Sequence, residues 1–306
     1  MTIKVFGHKS PDTDSTGSPI IWAWYLTEIM GTKAEAFLLG EPNTEAAFML
    51  THWDLPKPTI ISDVTAEDQV VIVDTNNPAE LPPSINDAKI LGIIDHHMLV
   101  GGIKTKTPID ITMRPLACTA TILHDLIGDD LARAPRGVKG AMLSCILSDT
   151  LEFRSPTTTP HDRAVAKALA ADLGVSIPDL ATKLFEAKSD VSAFSDAALL
   201  RMDSKEYNVA GKELRVSVLE TTAPKIVLDR KASLMASMAG VAQEDGADQV
   251  LLFVIDILRE EATLLVPNDL VKQMAEASFG VKVTGDTVVI PGLMSRKKQI
   301  IPALKL

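Results

Sequence analysis

The sequence predicts an α/β protein of two domains: a doubly wound, mainly parallel sheet with helices on both faces, then a smaller α/β domain with a mixed sheet. The chain has 306 residues, more than a single hydrophobic core usually contains. Short β-branched segments alternate with helical patterns up to about residue 188, and small and polar residues then interrupt the pattern. We therefore expect domains at residues 1–188 and 195–306, joined by a hinge linker at 189–194.

The first strand and the first helix enclose a loop with metal-ligand side chains. Residues 2–6, TIKVF, are β-branched and aromatic enough for a short strand. Ser18 is the expected N-cap of the following helix, with Pro19 at its first position and Gly31 at its end. The loop between strand and helix carries one imidazole and two carboxylates: His8, Asp12 and Asp14.

Two further buried strands end in aspartate. Residues 69–74 and 88–95 are short apolar runs whose last residues, Asp74 and Asp95, are expected at the carboxyl edge of a parallel sheet. Helical periodicity follows at residues 119–128, 136–149, 160–174 and 177–190.

The sequence after the linker has a different order of predicted strands and helices. Residues 204–220 predict a β-hairpin that turns at Ala210 and Gly211, and residues 229–246 predict a helix. Residues 249–257, QVLLFVIDI, predict a buried strand, and another helix and short strands follow.

Composition excludes several classes of function. The chain has 30 basic and 40 acidic residues, a net charge of −10, so a general nucleic-acid surface is not expected. Cys118 and Cys145 form no CxxC pair, which argues against a disulfide framework or a zinc–thiolate site and favours a cytoplasmic protein. Neither a signal peptide nor a membrane span is predicted.

Seven ligand-type side chains are expected at one edge of the first sheet. Each alone has an ordinary structural explanation, because a strand-end aspartate often caps a helix, Asx turns use the same residues, and a lone histidine is often a core group. Together they predict a metal site formed by His8, Asp12, Asp14, Asp74, His96, His97 and Asp149.

The size and chemistry of this set indicate two ions. Seven ligands exceed the needs of one octahedral ion but suit two ions that share a carboxylate. Mixed imidazole and carboxylate ligation favours manganese or cobalt over magnesium.

These motifs resemble a known family. GHKSPDTD at residues 7–14, VIVD at 71–74, DHH at 95–97 and SDTLEFRSPTTT at 148–159 are similar to motifs of the DHH phosphoesterase superfamily. Within it the chain resembles the manganese-dependent (family II) inorganic pyrophosphatases over almost its whole length. The resemblance implies pyrophosphate hydrolysis by a metal-bridging hydroxide in a cleft between two domains. It also implies a homodimer formed through the N-terminal domain, two Mn²⁺ per subunit with Co²⁺ or Mg²⁺ as possible substitutes, and Mg²⁺ bound with the substrate.

The family pattern also implies a role for each site residue. The first metal is assigned His8 and Asp12, the second Asp14, His96 and Asp149, and Asp74 bridges both. His97 faces the phosphates and assists the leaving group. The substrate is held from the second domain by Lys205 and by the SRKKQ segment, with Ser295, Arg296 and Lys297.

The chain departs from the family at one place. DTNN at residues 74–77 stands where the family usually has DHNE, so Thr75 and Asn77 replace a histidine and a glutamate beside the ligands. Such neighbours tune metal affinity, which puts the metal affinity and the activity optimum in doubt.

Other functions stay open on the sequence alone. An exopolyphosphatase or a phosphodiesterase for short oligonucleotides of the same superfamily is the nearest alternative, although the chain lacks a GGGH-like motif in its second domain. A metal-dependent binding module without turnover is a third class, and the basic run at 295–298 could be a solvated surface.

Overall fold

The computed structural model describes residues 2–305 and divides the chain into two compact units, Met1–Lys188 and Ser189–Leu306. Each unit has hydrophobic clusters of its own.

The first unit is built on a six-stranded parallel sheet with the strand order β3-β2-β1-β4-β5-β6. Its strands are β1 (Ile3–Phe6), β2 (Ala34–Leu38), β3 (Thr59–Ile60), β4 (Gln69–Val73), β5 (Lys89–Asp95) and β6 (Asp110–Met113). Because the chain runs outward from β1 to β3 and then returns to pair β4 with the other side of β1, the order reverses at β1. Loops that leave the carboxyl ends of β1 and β4 therefore face one crevice, the usual ligand position in such sheets.

Six α-helices belong to this unit: α1 (Thr13–Trp24), α2 (Thr44–His52), α3 (Thr119–Ile127), α4 (Arg136–Asp149), α5 (Pro160–Leu173) and α6 (Ile177–Lys188). On one face of the sheet, Phe6, Val70 and Ile72 pack against Leu81 and Ile85, which lie in and beside two short 3₁₀ turns. On the other face, Trp22 of α1 and Leu126 of α3 line a groove of about 410 Å³ together with sheet residues. The mainly parallel, doubly wound sheet of the sequence prediction is confirmed.

The first helix begins earlier than the sequence predicts. Asp12, not Ser18, is its N-cap and accepts a hydrogen bond from the Ser15 amide at 2.9 Å. The hydroxyl of Ser18 instead donates to Asp14, and Pro19 lies inside the helix. A proline inside a helix removes one backbone hydrogen bond and crowds the carbonyl of the preceding turn, which usually destabilises the helix. Asp14 therefore lies on the first turn of α1 and not in the loop, and a π-helical segment, Tyr25–Ile29, continues the helix towards Gly31.

The second unit contains a mixed five-stranded sheet with the order β11-β10-β9-β8-β7. Its strands are β7 (Ser204–Val209), β8 (Lys212–Thr221), β9 (Gln249–Asp256), β10 (Glu261–Leu265) and β11 (Thr287–Pro291). Only β8 and β9 pair in parallel, and the β7–β8 hairpin turns at Ala210 and Gly211, both with positive φ, as the sequence predicts.

The helices of the second unit cover both faces of its central strand. They are α7 (Asp196–Met202), α8 (Pro224–Leu228), α9 (Lys231–Asp245), α10 (Asp269–Phe279) and the short α11 (Ile301–Ala303). Every residue of β9 is buried. Phe253 packs in the cluster that contains Val271 of α10, whereas Leu252 packs in the cluster that contains Leu234 of α9. This is the smaller mixed-sheet α/β unit that the sequence predicts.

None of the helices between residues 2 and 305 is both long enough and apolar enough to cross a membrane. Cys118 and Cys145 are both buried and unbridged, as expected.

Candidate metal centre

The carboxyl ends of three strands and the end of one helix bring six of the predicted ligands together. His8 follows β1, Asp74 follows β4, His96 follows β5, and Asp149 is the last residue of α4. The other two, Asp12 and Asp14, stand at the start of α1.

Asp74 lies at the middle of the group. It is 1% exposed and has a φ of 59°, a left-handed conformation that is uncommon for aspartate. Its Oδ2 is 3.5 Å from Nε2 of His8, and its Oδ1 is 3.4 Å from Nε2 of His96. The two oxygens of one carboxylate thus face two different imidazoles.

Besides the group of Asp74, His96 and His97, two further sets of potential ligands surround this carboxylate. One set comprises His8, Asp12 and Asp74, with Nε2 of His8 3.7 Å from Oδ1 of Asp12. The second set comprises Asp14, His96 and Asp149, with Nε2 of His96 3.9 Å from Oδ2 of Asp149. Atoms that bind one ion at about 2.0–2.6 Å lie about 3–4 Å from each other, so these separations suit shared coordination.

Both histidines are oriented with Nε2 towards the carboxylates. Nδ1 of His8 lies 2.7 Å from the carbonyl oxygen of Lys9, and Nδ1 of His96 lies 3.2 Å from that of Leu116. A carbonyl can only accept, so each Nδ1 carries the proton and each Nε2 is left as the atom that faces the carboxylates. Metal-binding histidines are commonly fixed in this way.

The electrostatics of the site also fit a cation. Burial and the carboxylates of Asp14, Asp12 and Asp149 raise the pKa of Asp74 well above its ordinary value. Burial and the carboxylates of Asp14 and Asp12 do the same to the pKa of Asp149, whose Oδ2 is buried without a hydrogen-bond partner. Burial alone would lower the pKa of His8, but the carboxylate of Asp12 raises it to about 9. Several buried carboxylates with little compensating charge are the environment that divalent ions neutralise.

Nδ1 of His97 lies 3.9 Å from Oδ1 of Asp74, but Asp95 is its nearer partner. The same Nδ1 is 2.9 Å from Oδ1 of Asp95, and the backbone amide of His97 donates to the same oxygen. The hydrogen bond to Asp95 raises the pKa of His97, while burial lowers the pKa of His96. His97 is also 52% exposed, so its Nε2 is available to a substrate.

Three polar neighbours of the site were not predicted from the sequence. Thr119, at the start of α3, donates its amide to Asp14 and its hydroxyl to Asp74. The side chain of Asn76 donates to Asp95, and the hydroxyl of Ser18 donates to Asp14. Thr119 is 45 residues from Asp74 along the chain, so no local pattern reveals the contact.

Thr75, which stands where the family usually has a histidine, contacts residues of its own turn. It is 2% exposed, and its hydroxyl donates to Oε2 of Glu80 at 2.8 Å. The amide of Asn77 donates back to the Thr75 hydroxyl. These two residues therefore stabilise the turn after β4.

The basic residues predicted to bind substrate lie in the second unit. Ser295 caps a short turn, Arg296–Ile300, and Lys297 and Lys205 are exposed. Arg296 donates to the carbonyl of Asp203 at 2.7 Å and pairs with its carboxylate at 2.8 Å, which places it close to the start of β7.

Comparisons with known proteins identify the family of this chain. Residues 2–148 match the model of the DHH family, N-terminal domain, and residues 182–306 match the DHHA2 domain. A Deinococcus radiodurans protein named as a probable manganese-dependent inorganic pyrophosphatase is 38% identical, over 99% of this chain and 98% of its own length. An Enterococcus faecalis protein with the same name is 34% identical, over 99% and 97% of the two chains.

Two solved structures are similar to this chain. A Methanococcus jannaschii protein assigned to the family II inorganic pyrophosphatases has a TM-score of 0.61 and 31% identity, with 98% of this chain and 97% of that chain covered. An exopolyphosphatase-related protein from Bacteroides fragilis has a TM-score of 0.52 at 12% identity, with 98% and 89% covered, and shares the fold alone. The chain belongs to the family of manganese-dependent (family II) inorganic pyrophosphatases.

Proposed function

We propose that this protein hydrolyses inorganic pyrophosphate to two orthophosphate ions at a centre for two manganese ions. The observation that carries the proposal is the placement of Asp74, whose two carboxylate oxygens face His8 and His96 separately. The names of the full-length relatives support the choice of pyrophosphate and manganese.

The ligand assignment follows the two sets around Asp74. His8 and Asp12 would hold the first ion, and Asp14, His96 and Asp149 the second, with Asp74 shared by both. Co²⁺ or Mg²⁺ would be substitutes, because both accept carboxylate ligands. When bound, the two ions supply Lewis-acid stabilisation of the phosphoryl oxygens and lower the pKa of the attacking water.

His97 would act on the leaving phosphate. Asp95 holds Nδ1 of His97 and raises its pKa, which favours the imidazolium form, whose Nε2 proton can be donated. Asp95 is itself fixed by Asn76, whose side chain donates to it at 2.6 Å. The aspartate therefore orients the imidazole and is not itself assigned to a metal.

The second unit would bind the phosphates through the positive charges of Lys205, Arg296 and Lys297 and the hydroxyl of Ser295. The side chain of Asp203 is 59% exposed, so its ion pair with Arg296 contributes little and a more highly charged phosphate can replace it. Arg296 can then bind a phosphate through two parallel hydrogen bonds, and Mg²⁺ would accompany the substrate.

The proposal includes a homodimer formed through the first unit and a cytoplasmic location. The edge strand β6 carries Ile111, which is 57% exposed and lines the groove with Trp22 and Leu126. Such an edge is usually covered in the assembled protein. The two buried, free cysteines support a reducing compartment.

The deciding experiment measures phosphate release from pyrophosphate, polyphosphate and a dinucleotide in parallel, with manganese and then magnesium supplied. We expect pyrophosphate to be the fastest substrate and manganese or cobalt to activate more than magnesium at equal occupancy. Faster release from polyphosphate or faster cleavage of the dinucleotide would contradict the proposal, and no turnover of any substrate would favour a binding module.

A further inference from the structure

A second group of potential metal ligands lies outside the centre described above. His124 and Asp125 belong to the last turn of α3, and His161 belongs to the first turn of α5. One ligand atom from each of the three residues lies within 4.8 Å of the others. We propose that these three side chains form a separate site for a transition-metal ion such as Zn²⁺, which would link α3 to α5.

The distances in this group are close to those of a tetrahedral site. Nδ1 of His124 is 3.4 Å from Oδ1 of Asp125, and Nε2 of His161 is 2.7 Å from the same oxygen. Zinc bonds of about 2.0–2.1 Å place tetrahedral ligands about 3.4 Å apart. The first pair already has this spacing. The second needs to open by about 0.7 Å as its hydrogen bond is replaced by two bonds to the metal.

The carboxylate of Asp125 is held in an orientation that suits metal binding. Nη1 of Arg114 binds its Oδ2 at 2.7 Å, which leaves Oδ1 facing the two imidazoles. Burial alone would raise the pKa of Asp125, but its contacts with His161, His124 and Arg114 lower it, so the carboxylate is ionised. Carboxylates that bind metals are commonly held in place by a second hydrogen bond of this kind.

The site is open to ions from solution and selects among them by ligand type. The side chains of His124, Asp125 and His161 are 29%, 24% and 46% exposed. Two imidazoles and one carboxylate suit Zn²⁺, Co²⁺, Ni²⁺ or Cu²⁺ rather than Mg²⁺ or Ca²⁺, which prefer oxygen ligands. Three protein ligands leave the fourth tetrahedral position to water.

The position of the group suggests a structural effect. Asp162, next to His161, already joins the two helices, because it accepts from the Thr121 hydroxyl of α3 at 2.7 Å and belongs to the capping box of α5. An ion bound by His124, Asp125 and His161 would add a second link between the same helices. We expect it to raise the melting temperature of the first unit, since a ligand that binds only the folded state stabilises it.

The experiment counts zinc on the full-length chain. Wild type, His161→Ala, His161→Gln and the control His52→Ala are dialysed against Zn²⁺ and analysed for metal and protein. His52 is matched as a helix-borne histidine that stacks on Phe48 and belongs to neither ligand group. We expect the two His161 variants to hold about one zinc ion per chain fewer than wild type and the control. The test compares the zinc contents of variants and wild type, so it does not depend on whether the centre around Asp74 also binds zinc.

Nuclear magnetic resonance of histidine-labelled protein identifies the site directly. Zn²⁺ should shift the imidazole resonances of His124 and His161 in wild type, and the His124 shift should disappear in His161→Gln. Circular dichroism checks that the variants fold. Equal zinc contents in all four proteins, or unshifted His124 and His161 resonances, would overturn the proposal, whereas failure of the proposed pyrophosphatase activity would leave the zinc difference unchanged.

Discussion

The two adjacent histidines after β5 show how residues of one type acquire different roles. His96 presents Nε2 to Asp74 and Asp149, whereas His97 uses Nδ1 to contact Asp95. The difference arises because the chain leaves the strand at this point, so consecutive side chains do not simply alternate across the sheet.

We expect the two histidines to fail differently when they are replaced. His96→Ala should lower the manganese retained after dialysis, because it removes a proposed ligand. His97→Ala should leave the manganese content near that of wild type and lower kcat by about 100-fold or more, since it removes a proton donor that acts in the transition state. Elemental analysis and steady-state kinetics on both variants test this, and equal metal loss in the two would refute the distinction.

Strand ends are short-range features, so the sequence predicts which ligand-type residues the structure brings together. Asp74, Asp95 and His96 are marked by the apolar runs before them, and the carboxyl ends of parallel strands meet at one edge. Thr119 and Asn76 have no such marker, because their contacts with Asp74 and Asp95 join distant parts of the chain. His124 and His161 each precede an aspartate, but only the packing of α3 beside α5 brings them together.

At the scale of the elements, the sequence pattern places the start of α1 too late in the chain. Ser18 and Pro19 have the sequence of a helix start, yet Asp12 provides the better cap because its carboxylate reaches the Ser15 amide. Asp14 is buried in the first turn of this helix. Helix N-termini favour negative charge, so α1 itself stabilises the carboxylates of the candidate centre.

The side chain of Trp53, just after α2, packs against small residues of α4. Trp53 follows α2 and donates its indole N–H to Ser144 at 2.9 Å, and a Cβ at Gly140 would lie 2.1 Å from the Trp53 ring. Gly140 and Ser144 are one turn apart on the same face of α4, so both contact the indole.

Gly140→Ala should therefore destabilise the first unit by about 1–3 kcal/mol or more, because the ring has to move out of a packed position. Gly240→Ala is the control, since its exposed position in α9 has no atom within 4 Å of the added Cβ. The control should be neutral or stabilise its unit by about 0.5–1 kcal/mol. Differential scanning calorimetry compares them, and equal changes in the two variants would contradict this account.

At the scale of the whole molecule, the proposed function assigns metal binding to one unit and phosphate binding to the other, and each unit has its own core. The ligand-type residues around Asp74 belong to the first, and Lys205 and Arg296 belong to the second. The periodicity of the sequence predicts both sheets, but it does not predict β2, β3, β6, α2, α7, α8 or α11. β3 has two residues and β6 four, too few to establish a period of two.

This division predicts that metal binding and substrate binding can be separated by mutation. Arg296→Ala should lower kcat/KM for pyrophosphate by about 100-fold, because it removes a charge-assisted contact with the phosphates. Its manganese content should not change. Lys298→Ala, an exposed lysine in the same turn, is the matched control and should retain activity close to wild type. If Arg296→Ala and Lys298→Ala have equal effects on kcat/KM, the basic turn acts only through its general charge.

The two edges of the first sheet provide a test of the proposed dimer. β6 and β3 are the outermost strands, and each exposes an isoleucine: Ile111 is 57% exposed and Ile60 is 38% exposed. Only Ile111 adjoins the apolar groove with Trp22 and Leu126, so a second copy would bury the β6 edge and leave β3 in solvent.

A lysine at the buried edge would place an unpaired charge in the interface, whereas at the open edge it would stay hydrated. Sedimentation analysis should therefore show wild type and Ile60→Lys as dimers and Ile111→Lys as a monomer, with each variant folded by circular dichroism. A dimeric Ile111→Lys protein would show that the subunits associate through another surface, and a monomeric wild type would show that no dimer forms.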